Sequence, residues 1–171
     1  MQMNVSQLLQ APVGTTRNFQ IKEVIDVIND GQLHPIEGKV RMLRTSRSIL
    51  VKGKLRTEVE LTCSRCLSPF VSPLNLIIEE EYMPTVDVFT GIPLPLPDEP
   101  GSFTIDSHHI LDLTEAVRQY SLLSIPMKPV CDNDCAGLCP ICGQNLNQGP
   151  CDCSAQKIDP RWSTLIQSRK Q

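Results

Sequence analysis

Eight cysteines constrain this chain of 171 residues more than any other feature, and six of them lie within residues 131–153. That segment reads CDNDCAGLCPICGQNLNQGPCDC, and the other two cysteines form a C-x-x-C pair far upstream. The start of the chain, MQMNVSQLLQAPVG, lacks the basic and apolar regions of a signal peptide, and no apolar run reaches the roughly 18 residues of a membrane span. The sequence therefore predicts a cytoplasmic protein without a membrane partner, and in that compartment disulfides are rare and clustered cysteines indicate a metal.

Zinc takes four thiolates at tetrahedral corners, and cysteine pairs separated by a few residues supply them. In C-P-I-C-G, the two intervening residues let both sulfurs reach one ion, and Gly143 allows a left-handed turn that aims backbone N–H groups at the sulfurs. The C-D-C pair closes this set from a short return loop, and the remaining cysteines make a second set. The two predicted sites are Cys139, Cys142, Cys151 and Cys153, and Cys63, Cys66, Cys131 and Cys135.

Other uses of these cysteines stay open at this point. The spacing also permits sites that mix Cys131 and Cys135 with the C-P-I-C-G segment, and iron–sulfur clusters use the same ligands. Redox chemistry at Cys63 and Cys66 is disfavoured, since no βαβ pattern surrounds them. A catalytic zinc keeps an open position, and no histidine lies near either set in the sequence. We therefore expect two structural Zn²⁺ ions, no enzymatic activity and no small-molecule substrate.

Alternating apolar and charged residues predict antiparallel strands from Ile36 to the first cysteine pair, with a turn at residues 45–48, and a further strand over residues 70–82. A capping box, Asp112-Leu-Thr-Glu115, predicts a helix over residues 111–123. A short helical turn is expected over residues 5–10, and Asp159-Pro160 predicts a last helix through Ile166. The expected fold is α+β: a small antiparallel β-sheet with one main helix and a cysteine-rich zinc-binding C-terminal section.

The chain is interpreted as a single domain over residues 1–171, with residues 131–153 as its zinc-knuckle subregion. Residues 83–101 contain five prolines, and because proline interrupts helices and sheets this segment is predicted to be a flexible Pro-rich loop. His34, the His108–His109 pair and the three glutamates at 79–81 are interpreted as turn, capping and strand-end residues rather than as catalytic ones.

Charge is segregated along the chain. Residues 38–57 contain seven Lys or Arg and no acidic residue, whereas residues 66–117 contain nine Asp or Glu and no basic residue. Strand alternation places the basic side chains of each predicted strand on one face. This face either contacts RNA phosphates or is a solvated surface, and the sequence favours neither interpretation over the other. No aromatic residue lies between them, so base stacking is not expected there. The candidate RNA contacts are Lys39, Arg41, Lys52, Lys54 and Arg56.

Several segments in a fixed order resemble the YceD family, bacterial and plastid proteins named for accumulation of large-subunit ribosomal RNA. These segments are CSRCLSPF from Cys63, EEEY from Glu79, LDL from Leu111, PMKP from Pro126, GLCPICGQNLN from Gly137 and the final CDC. The similarity extends over about residues 38–162.

The resemblance implies a non-enzymatic factor that supports 23S rRNA synthesis, processing or accumulation during large ribosomal subunit biogenesis. The implied partners are the large-subunit precursor, with 23S rRNA or a basic ribosomal protein as the direct contact. The alternative is a zinc-ribbon protein-interaction module unrelated to ribosomes.

Overall fold

The structure, a computed structural model, describes residues 1–29, 31–95 and 101–153. Strands make up 44% of it and helices 11%. In chain order the elements are β1 (Gln2–Asn4), α1 (Ser6–Gln10), β2 (Thr16–Ile25), β3 (His34–Arg44), β4 (Ile49–Thr62), β5 (Pro69–Pro84), β6 (Phe103–Ile105), β7 (Ile110–Asp112) and α2 (Thr114–Ser124). Neither helix has the length and apolar character needed to span a membrane.

The seven described strands form one curled sheet in the order β1-β7-β6-β5-β4-β3-β2. Neighbouring strands are antiparallel except β5 and β6, which are parallel. Two glycines allow the strands to approach closely. A Cβ on Gly38, whose φ is +153°, would lie 2.1 Å from the Lys54 carbonyl oxygen, and one on Gly53 would lie 3.3 Å from Val40 Cγ2. A side chain at Gly38 would therefore push β3 away from β4.

The inner face of the sheet carries the hydrophobic core. Along β4, every second residue from Ile49 to Val59 is buried and those between them are mostly exposed, as expected for a strand with one face toward the core. Tyr82 is buried and stacks on Phe103 with ring centroids 5.2 Å apart. Helix α2 buries Ala116, Val117 and Ser121. This core contains none of the eight cysteines, so the sheet has a hydrophobic interior that is separate from the cysteine-rich part of the structure.

The predicted α+β fold with a small antiparallel sheet and one main helix is wrong, because strands dominate and the sheet is mixed. The three-residue strands β1, β6 and β7 are too short to show a period of two. In β2, Arg17 and Glu23 occupy inward positions beside Phe19 and Ile21, so the alternation that defines β3 and β4 is interrupted there. The expected strand pattern from Ile36 through Thr62 and the turn over residues 45–48 do match β3 and β4.

The predicted helix start also differs. Leu111 and Asp112 belong to β7, and α2 starts after Leu113, which makes no side-chain capping bond. Asp112 Oδ1 instead accepts the backbone N–H of Thr114 at 2.8 Å and its hydroxyl at 2.6 Å. Strand β5 continues through Pro84, two residues into the segment predicted as a loop, and Val86 pairs with Pro93. The helix predicted at residues 159–166 lies outside the described residues.

Candidate metal centres and basic groove

Four cysteines from two distant parts of the chain meet at one end of the sheet. Cys63 and Cys66 lie in the turn between β4 and β5, and Cys131 and Cys135 lie in the segment that follows α2. Their sulfurs all lie within 4.8 Å of one another. The Ser64 N–H donates to the Pro129 carbonyl at 2.7 Å, which joins the two segments through the backbone as well. We call these four residues the proximal cluster.

The last four cysteines form a second cluster from a single short segment. Cys139 and Cys142 supply one pair and Cys151 and Cys153 the other, again with all sulfurs within 4.8 Å of one another. The return of the chain is fixed by the Cys139 N–H, which donates to the Gln144 carbonyl at 2.8 Å. We call this set the distal cluster. The structure thus groups the eight cysteines into the two sets of four predicted from the spacing. It does not combine Cys131 and Cys135 with the C-P-I-C-G segment.

Sulfur separations in the proximal cluster fit a tetrahedral metal site. The Sγ atoms of Cys63 and Cys135 lie 3.8 Å apart, and those of Cys66 and Cys131 lie 3.7 Å apart. A tetrahedron with metal–sulfur bonds of about 2.3 Å has edges of about 3.8 Å, whereas a disulfide requires about 2.05 Å. All eight cysteines are free thiols. Each cluster therefore has the ligand number and type to hold one metal ion.

Backbone N–H groups favour the thiolate form at the first cysteine of each C-x-x-C turn. The Cys66 N–H is the main cause that lowers the pKa of Cys63 to about 6, against the opposing effect of burial. The N–H groups of Cys142 and Ile141 likewise lower the pKa of Cys139 to about 6. Thiolate is the form that binds metal, so both turns present a ligand that ionises near neutral pH.

The sulfurs also oppose one another's ionisation. In the distal cluster, the hydrogen bond with Cys142 and then burial raise the pKa of Cys153 to about 12. Like charges held close together cannot all ionise without compensation. All four sulfurs of one cluster can therefore be thiolates together only with a cation between them.

Polar side chains around the clusters were not identified from the sequence as contributing to the sites. Arg65 Nη1 donates to the carbonyls of Asn133 and Cys135, at 2.9 and 3.1 Å. Asn147 Nδ2 donates to Cys135 Sγ at 3.3 Å, and Asn145 Nδ2 donates to Ser68 Oγ at 3.1 Å. The available signal was the N-L-N sequence just after the C-P-I-C-G turn, where asparagine can bond its own backbone or a neighbouring ligand.

The predicted RNA-contact residues come together on the outer face of the sheet. Across β3 and β4, Lys39 is paired with Lys54 and Arg41 with Lys52, and paired residues of antiparallel strands lie on the same face. All five candidates are exposed and line one open groove of about 1350 Å³. Five basic and two acidic side chains line this groove, which gives it a net charge of +3. The five candidates are Lys39, Arg41, Lys52, Lys54 and Arg56.

Two of the five basic residues are engaged by carboxylates. Lys52 Nζ lies 2.5 Å from Glu79 Oε1, and Arg56 lies 3.8 Å from Glu58. Among the described residues, Lys39, Arg41 and Lys54 form no ion pair. These three are therefore the ones whose charge is least compensated by the protein itself.

The remaining candidates have separate environments. The Nδ1 atom of the buried His34 lies 3.0 Å from the Glu58 carbonyl oxygen. The three consecutive glutamates diverge, since Glu79 pairs with Lys52, Glu80 accepts from the Tyr120 hydroxyl and Glu81 accepts from Ser48. In the part of the chain that the structure describes, neither these glutamates nor any histidine belongs to a potential metal cluster.

Comparison with known proteins links the chain to one family. The sequence model described as large ribosomal RNA subunit accumulation protein YceD matches residues 51–167. The chain is 27% identical over 158 residues to large ribosomal RNA subunit accumulation protein YCED homolog 1, chloroplastic, of Arabidopsis thaliana. It is 29% identical over 147 residues to the uncharacterized protein Rv2926c of Mycobacterium tuberculosis.

These matches cover most of this chain but a smaller share of the relatives. The alignment covers 80% of this chain and 49% of the Arabidopsis protein, and 82% of this chain and 64% of the mycobacterial protein. The chain thus spans less than two thirds of the length of these relatives. Comparison with solved structures found no match.

Proposed function

The chain belongs to the YceD family, and we propose that it supports the accumulation of large-subunit ribosomal RNA, as the names of the family and of its Arabidopsis relative indicate. We propose that it acts without catalysis, as a binding factor for 23S rRNA during synthesis, processing or assembly of the large subunit. Its partner is then a large-subunit precursor, which it contacts through the RNA. No small-molecule substrate takes part.

The observation that carries this proposal is the groove between β2 and β5. Like charges placed directly opposite each other on neighbouring strands destabilise a sheet, and this groove holds two such pairs, Lys39 with Lys54 and Arg41 with Lys52. A phosphate between the members of a pair relieves that repulsion. The outward positions of the described groove carry no aromatic side chain, since Phe19 pairs with Val40 and packs against the core. Binding through phosphates without base stacking is therefore expected.

Both clusters are proposed to hold structural Zn²⁺. Each offers four thiolates, a set that closes the tetrahedron and leaves no position for water or substrate. Soft thiolate ligands in tetrahedral geometry favour zinc among the common divalent ions. This supports a structural role, since catalytic zinc keeps one position open. The ions then hold the end of the β4–β5 hairpin and the segment after α2 in place, while the groove remains a separate surface.

Charge reversal tests the RNA-binding surface. The double variant Lys39→Glu/Lys54→Glu should bind 23S rRNA transcripts more weakly and less salt-dependently. Each lost phosphate contact removes roughly 0.7–0.9 from the slope of log K against log salt. The matched control is Lys22→Glu/Lys128→Glu, two exposed lysines outside the groove lining. The measurement is a binding titration at several salt concentrations, with circular dichroism to verify the fold.

Two outcomes would contradict the proposal in different ways. If affinity and salt slope equal those of the control variant, the groove does not contact RNA and a basic ribosomal protein becomes the expected partner. In the cell, the tagged chain should sediment with large-subunit precursors. If it stays at the top of the gradient even at low salt, the role in rRNA accumulation is indirect.

A further inference from the structure

The two clusters are connected by a very short piece of chain. Cys135 belongs to the proximal cluster and Cys139 to the distal one, and three residues separate them. Residues 144–147 fold back along this connection. Leu138 pairs with Asn145, and the Leu146 N–H donates to the Gly137 carbonyl at 2.9 Å. This returning segment of the distal cluster therefore lies against the chain that leaves the proximal cluster.

Asn147 is the residue of this returning segment that contacts a proximal ligand. Its Oδ1 accepts the Ala136 N–H at 2.8 Å, and its Nδ2 donates to Cys135 Sγ at 3.3 Å. Nδ2 also lies 2.8 Å from Asn145 Oδ1, which fixes the orientation of the amide. A metal-bound cysteine sulfur keeps negative charge, and a hydrogen bond to a charged acceptor is stronger than one between neutral groups. The Asn147 amide is therefore placed to stabilise Cys135 as a metal ligand.

The position of Asn147 depends on closure of the distal cluster. The returning segment contains ten residues from Gln144 to Cys153, and its two cysteines are distal ligands. It pairs with the connection at an isolated bridge, and pairing as short as this is marginal on its own in water. When the distal ligands share an ion, the segment is held at both ends and the amide stays against Cys135.

We propose that Asn147 is a positioning residue that couples the two metal centres, so that closure of the distal centre raises the affinity of the proximal centre for its ion. Hydrogen-bond partners of metal ligands typically change affinity by about 10–100-fold. The lower end, about tenfold, is expected here because Asn147 is exposed and water can replace part of its contact. The inference rests on the proposed occupation of both clusters by metal and is independent of the ribosomal role.

The test measures metal at each centre of the full chain. Loaded with ¹¹³Cd²⁺, the protein should give two ¹¹³Cd resonances, which the Cys151→Ser/Cys153→Ser variant assigns by retaining the proximal one. Competition with a chelator then gives the affinity of each centre. Asn147→Ala should weaken the proximal centre about tenfold when the distal centre is loaded. Because coupling between two sites is reciprocal, the substitution should weaken the distal centre by the same factor when the proximal centre is loaded, and leave it unchanged when Cys63→Ser/Cys66→Ser keeps the proximal centre empty. Gln148→Ala, at the next exposed position, is the matched control and should change neither.

Two further variants separate coupling from a general loss of structure. Asn147→Asp keeps the acceptor for the Ala136 N–H but replaces the donor to Cys135 Sγ, so it should weaken the proximal centre at least as much as alanine does. In the Cys151→Ser/Cys153→Ser background, Asn147→Ala should cause no additional loss. Circular dichroism should show an unchanged sheet in every variant, since Asn147 makes no contribution to the described core.

Three results would overturn the proposal. Wild-type affinity in Asn147→Asp would show that the bond to sulfur is irrelevant. An equal loss for Asn147→Ala with and without the distal ligands would show that the residue acts locally and transmits nothing. If one chain never binds more than a single ¹¹³Cd²⁺, the proposed double occupation fails first, and the RNA-binding proposal is unaffected.

Discussion

The two C-x-x-C turns have the same local geometry. In the proximal turn the Arg65 N–H donates to Cys63 Sγ at 3.4 Å, and in the distal turn the Ile141 N–H donates to Cys139 Sγ at the same distance. The residue after the second cysteine then donates to the first cysteine's carbonyl, at 3.0 Å from Leu67 and 2.9 Å from Gly143. Both of these residues have positive φ, 58° and 75°.

What differs is the chain that each turn connects. The proximal cluster joins the end of the β4–β5 hairpin to the segment after α2, more than 60 residues further along, whereas the distal cluster closes within residues 139–153. Three proximal cysteines are buried, but Cys142 is exposed and Cys151 and Cys153 are half-buried. The same C-x-x-C motif thus brings together distant parts of the chain in one cluster and the two ends of a short loop in the other.

Loss of one ligand should separate these two roles most clearly. Cys66→Ser should release the segment after α2 from the sheet, because the ion proposed for the proximal cluster would be its main attachment. The free energy at stake approaches the order of 10 kcal/mol that structural zinc contributes in small peptides. Cys142→Ser should lower the exchange protection of residues 139–153 and weaken metal binding at the proximal centre only about tenfold. Hydrogen–deuterium exchange of the zinc-loaded proteins measures both effects.

In Cys66→Ser, the Ser64 amide should lose its protection together with residues 129–138, while β3, β4, β5 and the distal residues 139–153 keep theirs. Ser64→Ala, an exposed position of the same turn that supplies no sulfur, serves as the control. Equal loss of protection in the two cysteine variants would contradict the distinction between a long-range and a local cluster.

The sequence was sufficient where the determining interactions are local. Two cysteines separated by two residues reach one ion whatever surrounds them, so the C-P-I-C-G turn and its closing pair could be assigned from spacing. Regular alternation likewise identified β3 and β4, and an apolar run that ends in acidic residues identified the strand now seen as β5. The assignment of the basic residues to one face followed from the same period, although the direct pairing of Lys39 with Lys54 required the register.

The parts that failed depend on contacts distant in sequence. Strand β1 is three residues long and pairs with β7, more than 100 residues away, and nothing local specifies that pairing. Asp112 matched a capping box but lies at the end of β7, where it accepts from Thr114 just before α2. The contact between Asn147 and Cys135 required the fold of both clusters. The fold class was therefore wrong although the cysteine grouping agreed with the structure.

Exchange of the residues with positive φ should show how much each turn is strained. A residue other than glycine in the left-handed region costs roughly 1–2 kcal/mol, so Gly143→Ala should weaken the distal centre. Leu67→Gly should remove the same conformational cost from the proximal turn. The gain in stability is reduced by the conformational entropy that glycine adds to the unfolded chain. Nothing lies within 4 Å of a Cβ at Gly143, so the conformational cost is not confused with a clash.

Chelator competition on the zinc-loaded variants measures this effect at each centre. Gly14→Ala, also at positive φ and also without neighbours within 4 Å, is a control remote from both clusters. If Gly143→Ala binds distal zinc as tightly as the unsubstituted chain, the turn does not need its left-handed residue.

The smallest expected difference concerns the third residue of each turn. Arg65 extends from the proximal turn to two carbonyls on the other side of the cluster, while Ile141, at the equivalent distal position, is 61% exposed. Removing the Arg65 bonds should cost about 1 kcal/mol, because water can reach part of the guanidinium and compensate. Arg65→Ala should therefore speed zinc release from the proximal centre about fivefold, and Ile141→Ala should leave the distal rate unchanged.

Arg65→Lys should restore little, since one ammonium does not reproduce the planar guanidinium. If Arg65→Ala releases proximal zinc no faster than the unsubstituted chain, the proximal turn gains nothing from the segment that Arg65 contacts. Burial alone would then distinguish the two clusters.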